Sequence, residues 1–267
     1  MRIAVVAPSC PLDEAAVEPA MARAAATGVE LVIHPQCFSR SGHFAGPDEA
    51  RLDAYLEVLG DPDIQAVWHA RGGYGSNRIA EAVRDRLPEG AAGKTVLGYS
   101  DAGFMLSALD GTGVEIAHGP MVQDVLREGG SAAIDRSLAW LARRDPAALE
   151  PGLREDRPVR AFNLEVLVSM LGTPIAPRLE GVELLIEEVG EHLYAIDRAM
   201  FMLTGQAERP ASLRLGSVTA VPENEFDFGE EAEALVRKWC EGAGIDYRGR
   251  AAIGHDAHNH VVPFAPR

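Results

Sequence analysis

The feature that most constrains this chain is the alternation of short apolar runs with charged, helix-like stretches between Ile3 and His118. Ile3 to Ala7 is a continuous apolar segment ended by Pro8-Ser9, as a strand buried on both faces would be. Val29 to His34, Ile64 to His69, Thr95 to Gly98 and Val114 to His118 repeat the theme. Between them, Glu14 to Ala26, Pro47 to Leu59, Asn77 to Arg86 and Ala102 to Leu109 read as helices, the first stopped by Gly28 and the second carrying Asp48 and Glu49 in its first turn. Strands alternating with helices imply an α/β fold: a parallel sheet covered on both faces, with ligands bound where strand C-termini meet helix N-termini.

The pattern changes after residue 136. Ser137 to Pro158 is charged, contains Pro146, Pro151 and Pro158, and shows no strand pattern, so it reads as a linker between a first domain (1–136) and a second (159–267). In the second, helices are expected over Leu164 to Leu171, Tyr194 to Leu203 and Glu230 to Cys240. Strands are expected over Val182 to Glu187, around Leu213 to Val221, and near Ala251 to Ile253. With 267 residues, 47% of them apolar, the chain is long enough to bury two modest cores.

Charge and cysteine content exclude several function classes. Forty acidic against 25 basic residues give a net charge of -15, which repels a polyanionic backbone and argues against nucleic acid as a partner. An anionic small substrate would need a few local arginines. Cys10, Cys37 and Cys240 form no CxxC pair, so neither a disulfide framework nor a metal site is expected, and a reducing compartment fits. The five apolar residues before Pro8 fall short of a signal-peptide core and no later stretch approaches a membrane span, so the expectation is a cytoplasmic protein without a membrane partner.

Gly98-Tyr99-Ser100-Asp101-Ala102 lies between an expected strand and an expected helix, the context of a nucleophile elbow. Such a turn needs small residues two before and two after the serine, and Gly98 and Ala102 supply them. The serine hydroxyl would then sit at a helix N-terminus, where the dipole and free N–H groups favour developing negative charge, and the Asp101 amide would be an oxyanion donor. The alternative is that Ser100 and Asp101 simply cap the helix. Ala70-Arg71-Gly72-Gly73-Tyr74-Gly75 follows the third strand, and its glycines allow close backbone approach to a ligand, so Gly72 or Gly73 is the candidate second oxyanion donor; a tight turn is the alternative. The loop lacks the G-x-G-x-x-G and P-loop patterns of nucleotide sites.

His255, after Ala252-Ile253-Gly254, is the candidate base, with His118 at the end of the fifth strand as its rival. His258 and His260 cluster near His255 without a matching carboxylate or cysteine pattern for a metal. His34, His43, His69 and His192 read as capping or surface residues. Glu187 and Glu188 end an apolar strand, where a carboxylate is partly desolvated and able to orient a histidine; Glu187 is the preferred candidate.

Taken together, these segments resemble the LD-carboxypeptidase family, which includes murein tetrapeptide carboxypeptidases and microcin C immunity peptidases. The resemblance runs over nearly the whole chain. It is carried by Val5-Val6-Ala7-Pro8-Ser9, Phe44-Ala45-Gly46, Asp63 to Gly75, Gly98-Tyr99-Ser100-Asp101 and His118-Gly119-Pro120-Met121. It continues through Asn163-Leu164, Leu171-Gly172-Thr173-Pro174, Glu187 to Glu191, Tyr194 to Arg198, and Gly254-His255.

The resemblance implies a metal-free, cofactor-free serine peptidase with Ser100 as nucleophile, His255 as base and Glu187 orienting it. Asp101 with Gly72 or Gly73 would form the oxyanion hole, and Arg71 and Tyr74 would contact substrate. It also implies a flavodoxin-like N-terminal domain bearing the serine, a smaller β-rich C-terminal domain bearing Glu and His, and a homodimer. The implied substrate is a small peptide or muropeptide, cleaved at an L–D bond to release a terminal D-amino acid during peptidoglycan recycling. Two alternatives remain: a microcin-immunity-like peptidase acting on peptidyl or aminoacyl-nucleotide conjugates, and an inactive protein that binds peptidoglycan fragments. The chain departs from the family pattern at Ala102-Gly103, at Ala161-Phe162 where Gly-Gly is usual, and in the polar stretch Asp246 to Arg250.

Overall fold

The computed structural model describes residues 1–154 and 156–264. Its first sheet is built from β1 (Arg2–Val6), β2 (Glu30–Ile33), β3 (Ala66–His69), β4 (Thr95–Gly98) and β5 (Glu115–His118), all parallel, in the order β2-β1-β3-β4-β5. The order reverses between β1 and β3, so the loops after those two strands diverge and leave a crevice at the sheet's C-terminal edge. Helices α1 (Val17–Ala26), α2 (Asp48–Gly60), α3 (Asn77–Asp85), α4 (Gly103–Leu109) and α5 (Gly130–Arg143) cover the two faces.

Alternate strand residues feed separate cores, as the pleat requires. Ile3, Val5 and Trp68 pack with Ala20, Ile134 and Leu138 from α1 and α5, whereas Ala4, Val6 and Val67 face Tyr55, Ile79 and Met105 from α2, α3 and α4. Every residue of α4 is buried, because it lies between the first sheet and the second domain.

The second sheet is also parallel, in the order β6 (Val159–Asn163), β7 (Glu183–Val189), β8 (Ser212–Thr219), β9 (Asp246–Arg250), with α6 (Leu164–Met170), α7 (Leu193–Thr204) and α8 (Ala232–Ala243) connecting the strands. The chain then returns to the first sheet, where β10 (Val262–Pro263) pairs antiparallel with β5. One core runs without interruption from the α2–α4 face of the first sheet into the second domain.

Three expectations need correction. Ser137 to Arg143 belongs to α5 and not to a linker; Leu138, Trp140 and Leu141 bury its inner face, a stripe obscured by the flanking Arg127-Glu128-Gly129-Gly130 and Arg143-Arg144. The last strand of the second sheet is the polar Asp246–Arg250 and not Ala251 to Ile253. As an edge strand it buries none of its residues fully, and so carries no apolar signature. The strand Val159–Asn163 was hidden in sequence because it lies directly against the helix α6, capped by its own last residue, Asn163. Among the described residues, no helix is long and apolar enough to cross a membrane.

The departures at residues 102–103 and 161–162 meet each other in space. A Cβ placed on Gly103 would lie 3.0 Å from Val166 and 3.2 Å from the Phe162 ring. Phe162 therefore fills the seam between the domains where α4 carries no side chain, and stacks edge-on against Phe264 with ring centroids 5.3 Å apart.

Candidate active site

Ser100 sits in the turn from β4 into α4 with φ at 59°. A left-handed conformation in a residue with a Cβ is strained, and it is the conformation a nucleophile elbow imposes. The neighbours show why the turn demands small residues. A Cβ on Gly98 would fall 2.1 Å from Nδ1 of His69 and 2.9 Å from the Ala102 methyl. His69 is thus neither capping nor surface: it is fully buried beneath the elbow, its Nε2 is 2.9 Å from the Tyr55 hydroxyl, and burial pushes its pKa down to about 3.

The glycine loop is tied to this elbow by Asp101. The buried carboxylate accepts hydrogen bonds from the N–H groups of Gly75 (3.2 Å) and Ser76 (2.9 Å), and the Ser76 hydroxyl donates to the Asp101 carbonyl. These donors open α3, so the negative side chain sits at the positive end of a helix. On the other side of the loop, the Ser9 hydroxyl donates to the carbonyls of Arg71 and Gly72, turning the attached N–H groups away from it. Among the described residues, no acceptor is bonded to the N–H of Gly72, Gly73 or Asp101. Gly72 is the closer to the serine: a Cβ there would stand 2.9 Å from Ser100 Oγ, whereas one on Gly73 would strike Cys10 Sγ at 2.5 Å. Arg51, fully buried and donating to the carbonyls of Pro8 and Gly75, supports the loop from below.

The second domain supplies an imidazole and a carboxylate. His255 Nδ1 is 2.7 Å from Glu187 Oε2, and Glu187 is wholly buried. With Nδ1–H donating to the carboxylate, Nε2 is the basic nitrogen. Glu187 lies at an irregularity in the β7–β8 ladder: Ile186 pairs with Leu215 and Glu188 with Val218, so Gly216 and Ser217 together oppose Glu187. Such a bulge re-aims the side chain opposite it. Two glycines bring the histidine segment down onto this strand. A Cβ on Gly216 would lie 2.6 Å from the Ile253 carbonyl, and one on Gly254, whose φ is 131°, would lie 2.0 Å from Ser217 Oγ.

Ser100 and His255 line one cavity of about 190 Å³, with Arg71, Gly72, Gly73, Met121, Gln123, Asp124, Leu126 and Arg127 completing its wall. No hydrogen bond links Ser100 Oγ to His255 among the described residues. Serine–histidine bonds of this kind are often long in an unliganded enzyme and close in the substrate complex. Behind the imidazole, Tyr99 forms a platform with its ring centroid 4.8 Å away. Ser100 also borders a second depression, lined by Tyr74, Asn77, Asn163, Glu165, Glu188 and Glu191 among others.

The rival residues fall elsewhere. His118 is fully buried with its ring centroid 5.4 Å from that of Tyr99 and neither ring nitrogen bonded among the described residues; burial and the nearby His255 push its pKa down to about 3. Glu188 makes no hydrogen bond to His255 among the described residues and accepts from Asn163 Nδ2, Glu165 N–H and Val189 N–H, with burial raising its pKa to about 7. His258 is exposed, and no cluster of three or more His, Cys, Asp or Glu side chains able to hold a metal occurs among the described residues.

Sequence reasoning missed the support around the histidine. Glu150 and Arg214 form a buried bidentate ion pair at 2.7 and 2.8 Å, and Glu150 also accepts from Ala252 N–H. Asn259 Oδ1 accepts from Gly254 N–H. No motif marks these residues, since their partners lie far away in the chain.

Comparison with known proteins places the chain in a family. Residues 3–119 match the model of the LD-carboxypeptidase N-terminal domain, and residues 160–266 that of the LD-carboxypeptidase C-terminal domain. A murein tetrapeptide carboxypeptidase of Pseudomonas aeruginosa is 25% identical over 98% of this chain and 91% of its own length. A probable murein peptide carboxypeptidase of Bacillus subtilis is 30% identical over 99% of this chain and 87% of its own. The crystal structure of a muramoyltetrapeptide carboxypeptidase from Oxalobacter formigenes shares the fold, with a TM-score of 0.82 at 23% identity over 99% of this chain and 92% of that one. The strained serine elbow, the carboxylate-bound imidazole and both family domains thus converge on one conclusion: the chain is a peptidase and belongs to the LD-carboxypeptidase family.

Proposed function

We propose that the protein is a serine carboxypeptidase that cleaves an L–D peptide bond and releases a terminal D-amino acid from muropeptides. The observation that carries this reading is the shared cavity: Ser100 and His255 face it together, and Glu187 stands 2.7 Å behind the imidazole. Ser100 Oγ attacks the carbonyl of the L-configured residue while His255 Nε2 takes the hydroxyl proton. The oxyanion is held by the N–H groups of Asp101 and Gly72, neither of which has a bonded acceptor among the described residues. Collapse of the tetrahedral intermediate passes the proton from His255 to the departing amine; water, activated by the same imidazole, then hydrolyses the acyl-enzyme and restores Ser100. Glu187 keeps Nε2 basic and stabilises the imidazolium that forms. Arg71 and Tyr74 border the two openings beside the serine.

Muropeptide specificity is supported by the murein peptidases among the relatives. Three buried, unpaired cysteines suit a cytoplasmic location.

The test is incubation of the purified protein with L-Ala-γ-D-Glu-meso-diaminopimelyl-D-Ala, with an aminoacyl sulfamoyl adenylate as the competing substrate. D-Alanine release from the tetrapeptide, reduced at least about 10³-fold in Ser100→Ala, is the expected result. Turnover of the nucleotide conjugate alone would assign the other substrate class. Equal product release by the parent and Ser100→Ala would end the serine mechanism.

A further inference from the structure

The proposed reaction fixes which side of Ser100 receives the leaving group. The departing amine must be protonated by His255, so the C-terminal residue lies in the cavity that His255 lines and the acyl portion runs toward the second depression. That C-terminal residue carries a carboxylate. In a chain of net charge -15, the cavity wall nevertheless holds two guanidinium groups, Arg71 and Arg127.

The two arginines are used differently. Arg71 turns back on its own loop: Nε donates to the Gly72 carbonyl at 3.2 Å and Nη1 reaches the Pro11 carbonyl at 3.5 Å. Arg127 is held from behind. Its Nε lies 3.3 Å from Asp124 Oδ1, and its Nη1 donates to the Tyr99 hydroxyl at 2.7 Å. Asp124 is itself buried and fixed, accepting from the Tyr99 hydroxyl (3.0 Å) and from Met121 N–H (2.8 Å). Among the described residues, no acceptor is bonded to Arg127 Nη2. Nε and Nη1 are thus engaged and Nη2, which lies between them, is left open, in a side chain that lines the cavity together with Ser100 and His255.

We propose that Arg127 is the receptor for the substrate's C-terminal carboxylate and makes the enzyme a strict carboxypeptidase, with Asp124 and Tyr99 as the positioning residues that aim it. The inference rests on the reaction proposed above and adds a specificity residue to it. Tyr99 then has two partners: its ring backs the His255 imidazole and its hydroxyl braces Arg127, so the base and the carboxylate receptor share one support. Met121 and Leu126 supply the apolar wall beside the leaving residue's side chain.

The experiment is a two-by-two comparison of kcat/KM: parent and Arg127→Met against the tetrapeptide with a free C-terminal carboxylate and against its C-terminal amide. The parent is expected to prefer the acid by about 10- to 100-fold, the worth of charge-assisted hydrogen bonds to one carboxylate. In Arg127→Met the acid should fall by that factor while the amide is unchanged, bringing the ratio near one. Arg127→Lys should recover part of the preference, because it keeps the charge and loses the planar fork. An unaltered melting temperature would confirm that both variants fold. A preference for the acid of equal size in parent and Arg127→Met would overturn the inference while leaving the reaction intact. Failure of the parent on both substrates would instead remove the reaction on which it rests.

Discussion

Ser100 and His255 face the same cavity, yet they are held there by different kinds of structure. The serine is fixed by backbone: the end of β4, a left-handed turn and the start of α4 follow one another directly, and Gly98 and Ala102 lie two residues to either side. The histidine lies in the irregular segment between β9 and β10, and each group that fixes it comes from a distant part of the chain. Glu187 is 68 positions away, and the Glu150 that accepts from Ala252 N–H is 102 positions away. A backbone-held residue tolerates change of its own side chain without loss of the fold. A residue held by buried charges transmits any change in them to both stability and activity.

The contrast can be broken at three places. The largest expected effect is on the histidine side: Glu187→Gln keeps the volume but removes the charge that fixes the Nδ1–H tautomer, so kcat on the tetrapeptide should drop by about 10⁴-fold. A loss below tenfold in steady-state assays would mean that the carboxylate does not orient the base. Next is Glu150→Ala, which strands the Arg214 guanidinium in a site where both partners are buried. Thermal or urea unfolding should report about 3–5 kcal/mol of destabilisation, with a lower kcat because the Ala252 N–H loses its acceptor. An unchanged melting curve would show the histidine segment to be held by something else. The smallest effect is on the serine side. Ser100→Gly should be more stable than Ser100→Ala by about 0.5–1 kcal/mol, because glycine relieves the strained φ that alanine retains, less its own entropic cost. If the alanine variant melts at the same temperature or higher, the elbow stores no strain.

The same difference explains what could be read from the sequence. The five central strands and the elbow were legible because their signals are local: apolar runs, stops and small residues at fixed offsets around Ser100. Glu187 and His255 were legible as residues at strand ends, but choosing them over Glu188 and His118 required either the family pattern or the folded geometry. The reason is physical: Glu187 and Glu188 are adjacent, both buried and directed to opposite faces of the strand, and only the folded arrangement shows which face meets the imidazole. Arg127 left no trace, since a charged residue after an apolar stretch looks like any surface arginine until Asp124 and Tyr99 are seen behind it. All of α5 was lost to its flanking glycines and arginines, and β9 to its place at an edge.

The return of the chain through β10 has a mechanical meaning. The segment that bears His255 is anchored in the second sheet at β9 and in the first at β10, and so forms a strap across the seam between the two domains. Displacement of one domain against the other would therefore act on His255 through its own backbone as well as through Glu187. On the proposed role of His255, activity should fade under stress ahead of the spectroscopic signs of unfolding.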